Sequence, residues 1–326
     1  MESVYTSDTS NIKISDMSLA DKECYLSELD DYLIEYRKSL NLNNNVSFGT
    51  EIEFEGVPKE QMDSIVDEFC GWKCVEEKDF VVGGEIVSPP LKDYITCWYD
   101  LRDMLNSIKE QKNVDVLHHA ASHLHVNANS FYTYRNFTKF LLLYTIYEGI
   151  IYRFAYMDRL NARESLIYSA SPMAIDLAHS YEDIENAYNT KLIKSMFDRF
   201  RGLNFTHIHS FRNYSERNTI EFRMGNGTLD PVLWQNMINF YTKLILASNK
   251  DLDMDRLNYL LQRIIDSDCF NYFNFDRYNL DMAIELADTI FDNMLDKTNF
   301  LKQYIKNGEK TVDSQTPCVC KKLTRG

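Results

Sequence analysis

Polar and apolar residues alternate one by one along Ser47–Glu55, SFGTEIEFE. This predicts a strand with Glu51, Glu53 and Glu55 on one face and Ile52 and Phe54 on the other. The same period of two recurs in His123–Ala128, where His123, His125 and Asn127 oppose Leu124, Val126 and Ala128. It recurs again in Thr219–Met224, where Glu221 and Arg223 oppose Ile220, Phe222 and Met224, before a Gly225-Asn226-Gly227 turn. A fourth segment, Gly83 to Pro90, places Glu85 on a short strand that Pro89 and Pro90 end, with Ser88 just before them. Four separated strands with a polar and an apolar face predict one antiparallel sheet, packed behind and chemically active in front.

Elsewhere the period is helical. Leu26, Leu29, Leu33 and Tyr36 predict a helix within Tyr25–Leu40, and the polar run Asn41–Asn45 breaks it. Asp230 as N-cap and Pro231 as first helical residue open a segment whose Leu233, Met237, Phe240, Tyr241, Leu244 and Ile245 form one stripe. Helical pattern continues from Asp253 to Tyr304. The fold class expected is α+β. A helical N-terminal extension (1–44) precedes the sheet-bearing domain (45–248); a helical C-terminal extension (249–310) packs on it, and a flexible tail (311–326) follows.

The 326 residues carry a formal net charge of −14 with no Lys/Arg cluster, which argues against a nucleic-acid groove. The most apolar stretch, Phe140–Met157, contains Glu148 and Arg153, so it reads as a buried helix, not a membrane span. Residues 1–19 lack the apolar core of a secretory signal, and seven cysteines without a framework spacing fit reduced thiols; the expected location is the cytoplasm. A disordered end accounts for Cys318 and Cys320 better than a metal or redox site does.

Three glutamates on one side of a strand repel one another at neutral pH, and glutamate is a poor strand former. A solvated face explains one such strand equally well. Two histidines at i and i+2 followed by an asparagine are a sharper signal for a metal or phosphate site. Glu221 and Arg223 read as a surface pair or, beside cation and phosphate, as ligand and phosphate clamp. No Walker phosphate loop, dinucleotide fingerprint or GxSxG elbow is present.

FGTEIEFE, GGEIVSPPL, HLHVNAN and IEFRMGNGTLD, in this order, resemble the amidoligase family over roughly residues 46–245. These are carboxylate–amine ligases related to glutamine synthetase and gamma-glutamylcysteine synthetase. RLNARESLIYSASP and DRFRGLNF resemble the family's middle segments, although Arg199-Phe200 stands where a Lys-Tyr pair is usual. The resemblance implies a curved antiparallel sheet of the glutamine synthetase catalytic type, ATP, and two or more Mg²⁺ (or Mn²⁺) ions. It implies that Glu51, Glu53, Glu85, His123 and Glu221 bind metal, and that His125 and Arg223 meet the transferred phosphate. Glu55 has no counterpart among the family's motif residues and is read as a catalytic, substrate or outer-shell group that attracts the ammonium and accepts its proton; Asn127, Arg163, Asn204 and Ser88 are expected as nucleotide or substrate contacts. The implied substrates are a small-molecule or peptide carboxylate and an amine, in amino-acid, peptide or cell-wall chemistry. No nucleic acid, no membrane and no particular oligomer is implied. A guanidino-type phosphotransferase on the same sheet, and a binding protein that kept the fold without catalysis, are the alternatives.

Overall fold

The computed structural model describes residues 7–187, 191–196, 199–208, 218–266 and 278–306. The alternating segments are strands: β1 (Phe48–Glu55), β2 (Lys73–Val75), β3 (Gly83–Val87), β4 (Ala121–Asn127), β5 (Leu203–Asn204) and β6 (Thr219–Asn226). They form one six-stranded open sheet in the order β2-β3-β1-β4-β6-β5, antiparallel at every pairing. Eleven α-helices accompany it among the described residues, making the chain α+β. They are α1 (Leu19–Glu28), α2 (Lys59–Val66), α3 (Ile95–Lys109), α4 (Tyr134–Ala155), α5 (Leu166–Ser169), α6 (Ala174–Ala187), α7 (Lys191–Met196), α8 (Pro231–Ala247), α9 (Met254–Asp266), α10 (Leu280–Ile290) and α11 (Met294–Ile305).

The apolar sheet face is the core. Ile52, Phe54, Ile86, Leu124, Val126, Ile220, Phe222 and Met224 are all buried, each contributing roughly 1.5–3 kcal/mol of transfer free energy. Two helices cover it. Phe222 stacks on Tyr241 of α8 with ring centroids 4.2 Å apart, and meets Phe140 of α4 edge-on at 6.1 Å. Asp230 caps α8 by accepting from the Val232 N–H, and Pro231 opens it. In α4, Glu148 is buried because it accepts the backbone N–H groups of Met173 and Ala174. Arg153 is buried because it donates to the carbonyls of Tyr304 and Ile305. No helix among the described residues is long and apolar enough to cross a membrane.

The pairing sets the site. On either side of His123, Ser122 pairs with Gly225 and Leu124 with Phe222, so one residue of β4 faces Arg223 and Met224 of β6. This β-bulge breaks the ladder beside the polar face and re-aims the side chains there. Gly225 lies at its edge, where a Cβ would sit 2.5 Å from the Ser122 carbonyl oxygen.

The helix expected within Tyr25–Leu40 ends at Glu28. Beyond it the chain runs without helix or strand because tertiary bonds hold its backbone instead. Asp93 accepts from the backbone N–H groups of Leu40 and Leu42. Gln235 bonds both the N–H and the carbonyl of Arg37. Leu33, which helical spacing marks as core, is 79% exposed. The tail carrying Cys318 and Cys320, expected to be flexible over 311–326, lies outside the described residues.

Asp296 of α11 ties the additions to α8. Its carboxylate, fully buried, pairs with Arg37 at 2.8 Å and with Lys243, and accepts from Asn239. Burial alone would raise this carboxyl, but Lys243 and Arg37 hold it below its ordinary 3.8. A lowered carboxyl contributes stability above its unfolded pKa and loses it as pH falls through the folded value. We therefore expect this contribution to be complete above about pH 5 and to fade below 3.8. Asp296→Asn leaves two cations uncompensated. It should cost about 3 kcal/mol in urea unfolding at pH 7, a difference that shrinks in the same measurement at pH 3.

Candidate active site

The polar sheet face gathers its groups by register. Glu51 of β1 pairs across to His123 of β4, Glu53 to Glu85 of β3, and His125 of β4 to Glu221 of β6. His123 is the centre. It is 3% exposed, with Nδ1 3.4 Å from Glu51 Oε2, 3.7 Å from Glu221 Oε1 and 4.0 Å from Glu85 Oε1, and Nε2 3.6 Å from Glu53 Oε1. Neither ring nitrogen has a hydrogen-bond partner among the described residues. A buried polar atom without a partner is costly, and here two such atoms sit among four carboxylates. Two overlapping groups, Glu51–His123–Glu221 and Glu53–Glu85–His123, each bring ligand atoms within 4.8 Å of one another.

The titration of these groups shows the same crowding. Burial, then the charges of Glu51 and Glu53, push the Glu85 carboxyl up to about 10. Burial also works to raise Glu51, yet the imidazoles of His123 and His125 pull it well below the usual carboxylate range. Burial would lower His125, but Glu51, 2.8 Å from its Nε2, holds it raised. Divalent cations relieve this arrangement: they take carboxylate oxygens and imidazole nitrogens and remove the repulsion. The donor set fits such ions.

The remaining bonds hold these side chains in place. Glu53 accepts from the Ala121 N–H at 2.7 Å. Glu221 accepts from Asn204 at 2.7 Å and from the Arg223 guanidinium. The Arg223 Nε donates to the Ser169 carbonyl, and the side chain borders a cavity of about 410 Å³. Glu51, Glu53, Glu85 and His123 line that cavity with Arg199, Phe200 and Tyr168.

Other residues expected at the site take supporting places. Arg163 is buried and donates to the carbonyls of Gly225 and Arg223 and to Ser165 and Ser169, so it clamps the bulged strand from behind. Asn204 orients Glu221. Ser88 accepts from the Thr50 N–H, bracing β1. Asn127 closes the end of β4, accepting from Ser47 N–H and Ser130 and donating to the Asn45 carbonyl. Glu55 faces His119, whose Nδ1 lies 3.1 Å from its Oε1. His119, Glu77, Asp79, Tyr168 and Arg199 border the cavity without having been singled out for it. All five lie outside the strands, where no periodicity marks them; the adjacent pair His118-His119 is the one local signal.

A family model described as "putative amidoligase enzyme" matches residues 71–245. The chain belongs to this family. No curated protein matches the chain. The amidoligase match begins after β1, so Glu51 and Glu53 join the site by pairing with His123 and Glu85 and not through the matched span.

We expect Mn²⁺ or Mg²⁺ to raise the melting temperature of the wild-type amidoligase, and Glu53→Gln and Glu221→Gln to remove most of that rise. Glu85 folds protonated, so it costs stability as pH rises above its unfolded 4.5 toward about 10. In cation-free buffer at pH 7.5, Glu85→Gln should therefore be more stable than wild type, by ~1 kcal/mol or more. Calorimetry with and without the cation checks both signs.

Proposed function

We propose that this amidoligase is an ATP-dependent carboxylate–amine ligase that forms an amide or peptide bond. The observation that carries the reading is the His123 cluster beside the Arg223 guanidinium in one cavity. In the reading, the sheet is of the glutamine synthetase catalytic type. Glu51, Glu53, Glu85, His123 and Glu221 hold divalent cations. Bound there, a cation supplies charge neutralisation to the triphosphate and to the transferring phosphoryl group. The imidazole shared by both groups favours Mn²⁺, since Mg²⁺ prefers oxygen alone.

A carboxylate acylates poorly because oxide does not leave. Phosphoryl transfer onto it gives an acyl phosphate, from which an amine displaces phosphate. Arg223 is fixed by Glu221 and the Ser169 carbonyl, so its remaining donors are aimed at phosphoryl oxygens without reorganisation. Arg199 gives the same cavity a second guanidinium. His125 has Nε2 2.8 Å from Glu51 and Nδ1 3.1 Å from Thr219, so in the reading it meets the phosphoryl group by exchanging one of these bonds. The substrates are an amino acid, peptide or cell-wall-type carboxylate and an amine. Consumption of ATP puts the reaction in the cytoplasm, and Cys24, Cys70, Cys74 and Cys97, all free thiols, agree with that compartment.

The test is ADP release with ATP and Mn²⁺ or Mg²⁺ against a panel of amino acids and peptides, read with mass spectrometry for a product lighter by one water. We expect ADP release that requires an amine, and a drop of about 10²–10³-fold in Arg223→Ala. A phosphorylated product formed without an amide would mark a guanidino-type phosphotransferase instead.

A further inference from the structure

The amine that attacks an acyl phosphate must be neutral, yet an alkylamine arrives as an ammonium ion. The site needs a proton acceptor that is not already committed to cations, and the ligand carboxylates do not meet that requirement. His119 does. It borders the cavity with Glu53, Glu85 and His123, and it is absent from both groups of candidate cation ligands. Its Nδ1 faces Glu55, 3.1 Å from Oε1 and 3.4 Å from Oε2. A carboxylate there fixes the Nδ1–H tautomer and leaves the Nε2 lone pair as the acceptor. The ring is about half exposed, at 52%, so a proton taken from the cavity passes on to solvent.

Both partners of the pair are anchored by backbone. Glu55 and Asp115 exchange backbone hydrogen bonds at 2.8 and 2.9 Å. The His119 carbonyl accepts from Ser165 Oγ at 3.0 Å, and the His118 carbonyl from the Glu164 N–H. A surface histidine that met Glu55 by chance would not need both backbones pinned. The charged and titratable groups around the pair are Asp115, His118 and Glu164 on these segments, Arg159, which donates to the Leu117 carbonyl, and Glu53, Glu77, Asp79, Glu85 and Arg199 lining the same cavity.

We propose that His119 is the proton acceptor for the amine substrate and that Glu55 is the residue that positions it. This rests on the ligase reading. In the step, the amine nitrogen bonds to the acyl carbon, and the C–O bond to phosphate breaks with its electron pair leaving on phosphate. Of the two protons the ammonium loses, one goes to His119 Nε2 and then to water. The other ends on the departing phosphate.

Hydroxylamine separates this proposal from the ligase reading, because it is already neutral near pH 7 and traps acyl phosphates as hydroxamates. Wild type, His119→Gln and Glu55→Gln are compared with ATP, Mn²⁺ and a pool of the twenty amino acids and short peptides. The nucleophile is either hydroxylamine or the amines of the pool. With hydroxylamine, we expect His119→Gln to stay within about 5-fold of wild type. With alkylamines it should fall by about 10²–10⁴-fold and lose the acid limb of the kcat/KM pH profile. Glu55→Gln should shift that limb and leave the hydroxylamine rate in place. Equal losses with both nucleophiles, or none with either, overturn the role of His119 while leaving the ligase intact. No hydroxamate from wild type overturns the ligase reading itself.

Discussion

Four glutamates brought against one buried histidine are the constraint on which the rest of this structure depends. Two like charges about 4 Å apart repel by roughly 4 kcal/mol in a partly buried setting. Glu51 and Glu221 both lie within that distance of the same His123 nitrogen. Left alone, such a front would drive its strands apart. It persists because the apolar back of the same strands is locked between α4 and α8, where each strand gains far more by burying its aliphatic and aromatic residues than the front loses. The site is a strained layer held by a packed one, and the strain is what makes it receptive to cations.

Register converts that packing into position. A slip of one residue between β1 and β4 would turn Glu51 and Glu53 into the core and Ile52 and Phe54 into the cavity, so the pairing has no near alternative. The bulge at Arg223 and Met224 is the one departure, and it falls beside His123. Arg163 supports it from behind by filling the carbonyls of Arg223 and Gly225 that the broken ladder leaves. Arg163, for which the family resemblance implies a substrate or nucleotide contact, spends these bonds on fixing the strand that presents Glu221 and Arg223.

The strands that carry these side chains were legible because a period of two is unambiguous over five or more residues. Glu51, Glu53, Glu85, His123, His125, Glu221 and Arg223 do face one region. What was not legible lies where side-chain direction is set by tertiary bonds and not by periodicity. Leu26, Leu29, Leu33 and Tyr36 have helical spacing, but the chain after Glu28 is held out of a helix by Asp93, Gln235 and Asp296, none of them near in sequence. Asn127 and Ser88 end their segments in the right direction, yet their hydrogen bonds are spent on the Asn45, Ser47 and Thr50 backbone. His119 sits in a connection and Tyr168 in the single-turn helix α5, where nothing in the pattern tells a cavity wall from a surface position.

The charge of the cavity carries one more consequence. Among the described residues that border it, Glu51, Glu53, Glu77 and Asp79 are acidic, Glu85 has its carboxyl pushed up to about 10, and Arg199 and Arg223 are basic. A triphosphate approaching this surface without cations meets net repulsion, and the two guanidinium groups do not offset it, since Glu221 already engages one of them. On the ligase reading, cations held by the His123 cluster would offset that charge and leave Arg223 to act as a clamp. On the ligase reading, cation binding therefore precedes or accompanies nucleotide binding. The acids outside the cluster, Glu77 and Asp79, keep the opposite polarity at the part of the cavity they line, where a positively charged amine is attracted and a second phosphate is not.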